Sequence, residues 1–298
     1  MKFLPTTKEE MKNLGWDSID VLLISGDTYL DTSYNGSALV GKWLVEHGFK
    51  VGIIAQPEVD VPDDITRLGE PNLFFAISGG CVDSMVANYT ATKKRRQQDD
   101  FTPGGENNKR PDRAVLVYSN MVRRFFKGTT KKIVISGIES SLRRITHYDY
   151  WTNKLRKPIL FDAKADILSY GMGEMSMLQL ATALKNGEDW QNIRGLCYLS
   201  KEIKEDYLSL PSHSECLADK DKFIEAFHTF YLNCDPITAK GLCQKCDDRY
   251  LIQNPPSESY SEEIMDKIYA MEFARDVHPY YKKMGAVRAL DTIKYSIT

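Results

Sequence analysis

Four short apolar runs each end in small or polar residues, and this recurrence constrains the fold more than any other feature of the chain. The four ends are Ser25-Gly26-Asp27, Ser78-Gly79-Gly80, Ser136-Gly137 and Gly171-x-Gly173. Short apolar runs bounded by turn residues are typical of buried parallel strands. Segments with helical periodicity separate the runs, and sheets built this way have right-handed crossovers. The sequence therefore predicts an α/β fold with an open, mostly parallel, doubly wound sheet.

The same pattern predicts where a ligand would bind. We expect strands at Asp20 to Ser25, Lys50 to Ala55, Leu73 to Ser78, Ile133 to Ile135 and Asp166 to Tyr170. In an open α/β sheet the carboxyl ends of parallel strands lie along one edge, and ligands bind in the crevice outside that edge. Glycines there let main-chain N–H groups approach a ligand, and helix N-termini favour phosphate or carboxylate.

The richest chemistry follows the fourth strand, in the stretch Lys132 to Trp151. It combines arginines, hydroxyls, carboxylates and a histidine with crowded aromatic side chains, which indicate partial burial. The alternative is a solvated turn and helix whose arginines pair with nearby acids. The candidate ligand-binding residues all lie at or shortly after a strand end: Asp27, Thr28, Tyr29, Ser78, Gly79, Gly80, Gly137, Glu139, Ser140, Ser141, Arg143, Arg144, His147, Asp149, Gly171, Gly173 and Glu174.

Composition excludes some classes of protein. The chain has 298 residues, 42% of them hydrophobic and 27% charged, and no stretch approaches the roughly 20 apolar residues of a membrane span. The first residues lack a signal-peptide core, so we expect a cytoplasmic protein without disulfides or a membrane partner. The net charge of −2 gives no global attraction for nucleic acid, which is not an expected partner. The basic run Lys93 to Arg96 is interpreted as part of an exposed loop whose charges are solvated, and contact with a polyanion is the alternative.

Residues 1–200 are predicted to form the α/β domain, and the pattern changes after Ser200. Residues 201–258 are predicted to be a mainly helical excursion with one short, isolated strand, Arg249 to Gln253. Residues 259–298 are predicted to contain a linker helix followed by a terminal strand that ends at Thr298. Apolar and polar residues alternate at the end of this segment, and a terminal strand of this kind suggests a domain that is cut before its completion.

The cysteines do not predict a metal site. Cys243-x2-Cys246 lies near Cys234, but a structural zinc ion needs four ligands, and neither His228 nor Cys216 stands at a standard spacing. His147 is the histidine most suited to chemistry, because Asp149 could fix its tautomer, although a structural role is the simpler interpretation.

Several blocks together resemble the amino-terminal region of the YgiQ-type radical S-adenosylmethionine proteins. The resemblance runs from residue 3 to residue 298 and rests on these blocks: FLPTTKEEMKNLGWD from Phe3, PGGENNKRPDRA from Pro103, Gly137 to Trp151, Asp248-Arg249-Tyr250, Asn254-Pro255-Pro256 and His278-Pro279-x-Tyr281.

The resemblance implies a cobalamin-binding-like (flavodoxin-like) domain that precedes a radical SAM barrel in the same polypeptide. Ile293 to Thr298 would be the first barrel strand. A Cys-x3-Cys-x2-Cys loop, which would hold a [4Fe–4S] cluster and through it S-adenosylmethionine, would follow beyond Thr298. Cobalamin itself is doubtful, because Asp27-Thr28-Tyr29-Leu30-Asp31-Thr32 contains no histidine where the axial ligand of related domains stands.

We therefore expect the non-catalytic, amino-terminal part of a radical SAM enzyme of unknown substrate, which covers the barrel or presents a substrate or cofactor. Arg143, Arg144 and Glu139 would orient an anionic ligand or dock the barrel. One alternative is a free-standing module that binds cobalamin or a phosphate compound. A second is a small hydrolase or transferase that uses Asp27, Glu139 and His147, but the sequence offers no nucleophile with an evident base.

Overall fold

The computed structural model describes residues 1–294, which form a nine-stranded sheet with helices on both faces. The order of strands in this sheet is β2-β1-β3-β4-β7-β8-β11-β10-β9, and β5 and β6 form a separate hairpin. The strands of the described residues are β1 (Val21–Ser25), β2 (Val51–Ala55), β3 (Phe74–Ser78), β4 (Lys132–Ser136), β5 (His147–Asp149), β6 (Lys154–Arg156), β7 (Ile167–Ser169), β8 (Leu196–Ser200), β9 (Leu208–Leu210), β10 (Leu242–Cys246) and β11 (Arg249–Gln253).

The helices alternate with the strands in the first half of the chain. Those within residues 1–294 are α1 (Lys8–Asn13), α2 (Gly36–Glu46), α3 (Pro62–Thr66), α4 (Ser84–Asn88), α5 (Ala114–Phe125), α6 (Gly137–Ser141), α7 (Ile159–Ala163), α8 (Gly173–Asn186), α9 (His213–Ala218), α10 (Lys220–Leu232), α11 (Glu262–Ala270), α12 (Pro279–Lys282) and α13 (Ala289–Ile293).

The first five strands of the sheet are parallel and in register at their carboxyl ends. Ser25 of β1 pairs with Ala55 on one side and with Ser78 on the other, and Ser78 in turn pairs with Ser136. β7 extends this parallel group next to β4. The predicted α/β class with a mostly parallel, doubly wound sheet is confirmed, and the small residues that end the strands lie along one edge.

Two apolar layers cover the sheet, one on each face. One contains α5 and α7 and includes the buried side chains of Tyr118, Val122 and Leu160. The other contains α2 and α8 and includes Leu44 and Leu180. The strands of the parallel group are apolar on both faces because both are covered, which explains the near-continuous apolar runs in the sequence.

Beyond β7 the sheet continues with strands of mixed direction. β8 runs antiparallel to β7, β11 to β8 and β10 to β11, while β9 is parallel to β10. The prediction that Arg249 to Gln253 forms an isolated strand is therefore wrong, since this strand pairs on both sides. The sequence analysis also missed β8, β9 and β10; β9 has only three residues, and both β9 and β10 contain polar residues. The division into 1–200, 201–258 and 259–298 stays a prediction, although the sheet crosses residue 200 without a break.

The predicted terminal strand is wrong where the structure describes it. Thr292 and Ile293 belong to helix α13, whose Ala289 N–H donates to the carbonyl of Asp100. The fold of the preceding residues therefore fixes this segment as helix, despite its alternating pattern. Tyr295 to Thr298 lie outside the described residues. Across residues 1–294, no helix combines the length and apolar character needed to cross a membrane.

Candidate functional site

A cavity of about 420 Å³ opens at the carboxyl edge of the parallel strands. Ser78, Ser136 and Ser169, which end β3, β4 and β7, contribute to its floor. Its wall comes from the segments that follow these strands and β1. Of the predicted residues, it brings together Ser78, Gly80, Gly137, Gly171, Gly173 and Glu174.

The cavity also has lining residues that the sequence analysis missed. They belong to the loop before α2, to helix starts and to the floor: Leu23, Tyr34, Asn35, Gly36, Ser37, Val40, Ala76, Cys81, Ile138, Ser169, Met172 and Met177. The Asn35-Gly36-Ser37 sequence is a typical helix start, and this signal could have placed the first turn of α2 at the same edge.

Two long helices point their N-termini at this cavity. The Asn35 side chain caps α2 by accepting hydrogen bonds from the N–H groups of Ser37 (3.1 Å) and Ala38 (3.4 Å). Helix α8 begins at Gly173 with no side-chain cap. Both helix ends carry partial positive charge, which favours an anionic group in the cavity. The one carboxylate in the wall is Glu174, which accepts a hydrogen bond from the Tyr260 hydroxyl at 2.8 Å.

Asp27 points away from the cavity into a buried charge cluster. Its carboxylate lies 2.5 Å from the guanidinium of Arg110 and accepts the N–H of Cys81 at 2.6 Å. Arg110 also lies 3.1 Å from the carboxylate of Asp99. Burial raises the pKa of Asp27, and the charge of Arg110 opposes the rise. This cluster holds the turn after β1 against the segment that precedes α5.

Thr28 and Tyr29 are also buried in structural contacts. The Thr28 hydroxyl donates to Gln56 at 3.0 Å, and the Tyr29 hydroxyl donates to Asp31 at 2.8 Å. The Tyr29 ring stacks on His278 with centroids 5.6 Å apart. These two residues join the first turn to the C-terminal part of the described chain and do not line the cavity.

Glu139 is a buried anchor for two helices. Its carboxylate accepts hydrogen bonds from the N–H of Ser84 at 3.0 Å and from the N–H of Val115 at 3.1 Å. Ser84 lies in the first turn of α4 and Val115 in the first turn of α5. Burial raises the pKa of Glu139, and the charge of Asp83 adds to the rise. The side chain fills the space beside Gly79, where a Cβ would collide with it. Gly79 is therefore needed for packing and does not line the cavity.

The two arginines after α6 also have protein partners. Arg143 forms an ion pair with Asp83 and donates to the carbonyl of Glu139 at 2.9 Å. Arg144 donates to Gln253 at 3.1 Å and to the carbonyl of Ser141 at 2.5 Å. Its guanidinium stacks between the rings of Tyr170 and Phe230. Neither arginine lines the cavity, and a role for them or for Ser141 in ligand binding stays a prediction.

His147 and Asp149 lie in the β5–β6 hairpin, each with its own partner. His147 Nδ1 is 3.1 Å from the carbonyl of Ile145, and burial lowers the pKa of His147 to about 4. Burial alone would raise the pKa of Asp149, but hydrogen bonds from Thr152 and Arg113 outweigh it and lower the pKa. Ser140, in α6, is buried without a hydrogen-bond partner for its hydroxyl.

The three residues of the predicted hydrolase arrangement are therefore held by separate partners. Asp27 pairs with Arg110, Glu139 binds two helix N-termini, and His147 faces the carbonyl of Ile145. General acid–base or nucleophilic catalysis requires such groups to share a reacting atom within hydrogen-bond reach. The geometry gives no support to hydrolase or transferase chemistry with these residues.

The donor groups of the described residues do not fit an iron–sulfur cluster or an axially ligated cobalamin. Within residues 1–294, no three His, Cys, Asp or Glu side chains are grouped so that they could hold a metal ion. Cys243 and Cys246 are three residues apart on strand β10, so their side chains point to opposite faces of the sheet. No histidine is among the residues that line the cavity.

The chain resembles several curated proteins over its whole length. It is 96% identical to a UPF0313 protein of Fusobacterium nucleatum subsp. nucleatum over 100% of this chain and 52% of that protein. It is 50% identical to a UPF0313 protein of Thermotoga neapolitana over 99% of this chain and 52% of that protein. A Clostridium botulinum UPF0313 protein is 43% identical over 100% of this chain and 47% of that protein. The chain thus spans about half the length of these relatives.

Among solved structures, the radical S-adenosylmethionine methyltransferase TsrM from Kitasatospora setae, with cobalamin and a [4Fe–4S] cluster bound, is 16% identical. The match has a TM-score of 0.40 and covers 61% of this chain and 27% of TsrM. Residues 3–296 match the family of radical SAM N-terminal domains. The suspected relationship is confirmed, and the chain belongs to the radical SAM N-terminal family.

Proposed function

We propose that this chain is the non-catalytic, amino-terminal part of a radical SAM enzyme, and that it presents a ligand to the rest of the polypeptide. In this proposal the cavity at the carboxyl edge binds a small molecule or a substrate group that carries an anionic moiety. The surface around the cavity docks on the barrel that follows in sequence. The cluster and S-adenosylmethionine belong to that following part, because the described residues offer no grouped metal ligands.

The observation that carries the proposal is a group of exposed apolar side chains in the segments that supply the wall of the cavity. These residues belong to the segments that follow β3, β4 and β7: Val82 (37% exposed), Val86 (58%), Ile138 (48%), Leu142 (67%) and Met172 (46%). Ile138 and Met172 also line the cavity. Exposed apolar side chains beside a concave site are typical of an interaction surface. Since the relatives are about twice as long as this chain, their remaining half is the occupant that we propose.

Docking of the barrel on these side chains would bury both the side chains and the cavity. Excluding water strengthens the interaction of an anionic group with the N-termini of α2 and α8, because the local dielectric constant falls. The part played by this chain is thus to position a ligand and to keep water away from it. The residues that would do so are the serines at the strand ends and the first residues of the two helices.

Hydrogen–deuterium exchange can test the docking surface. We would compare residues 138–142 in the full-length Fusobacterium nucleatum relative and in the 298-residue chain described above. Slower exchange in the full-length protein is expected, and Leu142→Glu should abolish the difference. Leu217→Glu is the matched control, because Leu217 is also exposed but lies on α9, beyond the antiparallel end of the sheet. Equal exchange in both proteins would contradict docking and favour a free-standing ligand-binding module.

Titration calorimetry can test the cavity. The probes are S-adenosylmethionine, hydroxocobalamin and inorganic phosphate, each added to the protein and to its Ser37→Asp variant. Ser37 is the second residue of α2, where a carboxylate stabilises a helix but would repel an anion in the cavity. We expect at least one probe to bind and Ser37→Asp to weaken it by about tenfold or more, the size of a charge-assisted contact.

Ser214→Asp supplies the control for this experiment. It places the same charge at the second position of α9, away from the cavity. It should leave the affinity unchanged. If no probe binds, or if both variants weaken binding equally, the cavity is not an anion-selective site.

A further inference from the structure

We propose that the surface formed by the loop 89–96 and the segment 148–151 binds single-stranded nucleic acid, with single-stranded RNA as the test ligand. We call this the basic aromatic surface. Its basic part is the run Lys93-Lys94-Arg95-Arg96, which the proposed ligand site does not use. Its aromatic part consists of Tyr89, Tyr148, Tyr150 and Trp151. The inference does not depend on the cavity or on docking of the barrel.

Contacts between the two segments make them one surface. Lys93 Nζ donates to the carbonyls of Tyr150 (3.1 Å) and Trp151 (3.3 Å). The Tyr150 hydroxyl donates back to the carbonyl of Ala91 at 2.8 Å. The rings of Tyr89 and Trp151 pack with centroids 5.1 Å apart. These contacts fix cationic and aromatic groups side by side, so the geometry exists before any ligand arrives.

The charge on this surface is largely uncompensated. Of the four cations in the run, Arg95 has a carboxylate within 4.0 Å among the described residues, that of Asp112 at 3.6 Å, while Arg96 lines a pocket that also contains Asp99 and Asp100. Lys93, Lys94 and Arg96 are exposed, and none of the three forms an ion pair with a carboxylate in the described residues. Arg96 donates to the carbonyls of Val86 (3.3 Å) and Tyr89 (3.1 Å), which hold its stem on the loop. The phosphate groups of a nucleic acid are the simplest counter-charges for these three cations.

The aromatic side chains favour nucleic acid over other polyanions. Tyr148 and Tyr150 are each 51% exposed, so both rings are accessible to a ligand. Tyr150 and Trp151 meet edge to face, with Lys93 Nζ 4.7 Å from the centroid of Tyr150. Bases of a single strand can stack on such rings while their phosphates contact the neighbouring cations. An acidic peptide would use the charges but not the rings.

The location connects this surface with the edge of the sheet that holds the cavity. The loop 89–96 follows α4 and thus the carboxyl end of β3, and the segment 148–151 follows α6 and the carboxyl end of β4. A strand bound there would lie on the same side of the protein as the cavity mouth. This arrangement suits a nucleic-acid substrate whose reacting nucleotide is delivered at that side.

Fluorescence anisotropy with a labelled oligouridylate tests the inference. We expect saturable binding that weakens with salt, with a slope of log K against log salt of about −2, from three released counterions at about 0.7 each on a single strand. Tyr148→Ala should weaken binding by about fivefold or more, the lower end of the range for one stacked base. Lys94→Glu should weaken binding and make the slope shallower by about 0.7 or more.

Matched variants separate a local effect from a change in net charge or folding. Lys127→Glu places the same charge change on an exposed residue before β4, at the opposite edge of the sheet, and Tyr231→Ala removes an exposed tyrosine of α10. Both should leave the affinity unchanged, and thermal melting should show all four variants folded. Absence of binding, equal weakening by Lys94→Glu and Lys127→Glu, or equal competition by double-stranded RNA would overturn the inference. Binding to phosphatidylserine vesicles but not to the oligonucleotide would also overturn it.

Discussion

Asp27 and Arg110 form an ion pair at 2.5 Å in which each side chain is 1% exposed or less. Arg110 is among the largest fully buried side chains of the described protein, and it also reaches Asp99. A buried guanidinium between two carboxylates compensates their negative charges, whose removal from water would otherwise be costly. The pair thus holds the turn after β1 in place, next to the edge where the cavity opens.

Removal of Arg110 should therefore be strongly destabilising. Arg110→Met leaves two buried carboxylates without their cation, and we expect the free energy of unfolding to fall by about 3 to 5 kcal/mol. Urea denaturation measures this. Arg124→Met is the control, because Arg124 forms an exposed pair with Asp60 and should contribute about 0.5 kcal/mol or less. A loss below about 1 kcal/mol for Arg110→Met would show that the cluster relaxes or admits water.

Gly26 should not tolerate a side chain. A Cβ at this position would collide with the carbonyl oxygen of Gly79, so Gly26→Ala must separate the ends of β1 and β3. We expect a loss of about 1 to 3 kcal/mol in urea denaturation, as for other overpacked sites. Gly36→Ala offers a comparison, because no atom lies within 4 Å of its Cβ position. It should change stability by less than about 1 kcal/mol.

Tyr281 ties the C-terminal segment to the edge strand β2. Its hydroxyl accepts the N–H of Ala55 at 2.8 Å and a guanidinium N–H of Arg67 at 2.6 Å. Tyr281→Phe leaves the buried Ala55 N–H without this partner, and we expect a loss of about 1 to 3 kcal/mol. Limited proteolysis should also cut residues 276–288 faster. Tyr269→Phe, at a 60% exposed position, should change neither measurement.

The protein should become less stable as the pH is lowered, partly because of His147. Burial lowers the pKa of His147 to about 4, whereas an unfolded histidine has a pKa near 6.5. Between these values the unfolded chain takes up a proton that the folded chain does not, so acidification favours unfolding. The contribution is fully present above about pH 6.5 and decreases as the pH falls toward 4, by at most about 3 kcal/mol.

His147→Asn should flatten this part of the pH profile, because an asparagine amide can still donate to the carbonyl of Ile145 without titrating. Urea denaturation at several pH values between 4 and 7 measures the effect. His228→Asn removes an exposed histidine of α10 and is the control. Identical profiles for the protein and for His147→Asn would show that His147 is not shielded from solvent.

The parallel half of the fold could be predicted from sequence because its strands are buried on both faces. β1, β2, β3 and β4 are short apolar runs, and β1, β3 and β4 end in a serine that is followed by glycine. The antiparallel half gives no such signal. In β10 the sequence LCQKC mixes buried and exposed positions, and its pairing with β11 depends on contacts that a local pattern does not contain.

The edge of the sheet could also be predicted, but the direction of its side chains could not. Ser78, Gly137 and Gly173 line the cavity as expected, since their positions follow directly from the strand ends. Glu139 and Arg143 have the same sequence signal but turn inward to hold helices and an ion pair. Which polar residue binds a ligand and which supports the fold is decided by tertiary partners, and these lie far away in sequence.

The strand direction reverses between β7 and β8, and this divides the sheet into two regions. One region must keep the shape of the cavity, and the other is free of that constraint. The carboxyl ends of β1, β3, β4 and β7 meet at one edge, whereas β8 sends its carboxyl end to the other. Insertions, deletions and new surface residues can therefore accumulate around β9 and α10 without moving the cavity. Among relatives of different length we expect sequence divergence to concentrate at that end, so that the family can acquire new partners there while the ligand site keeps its shape.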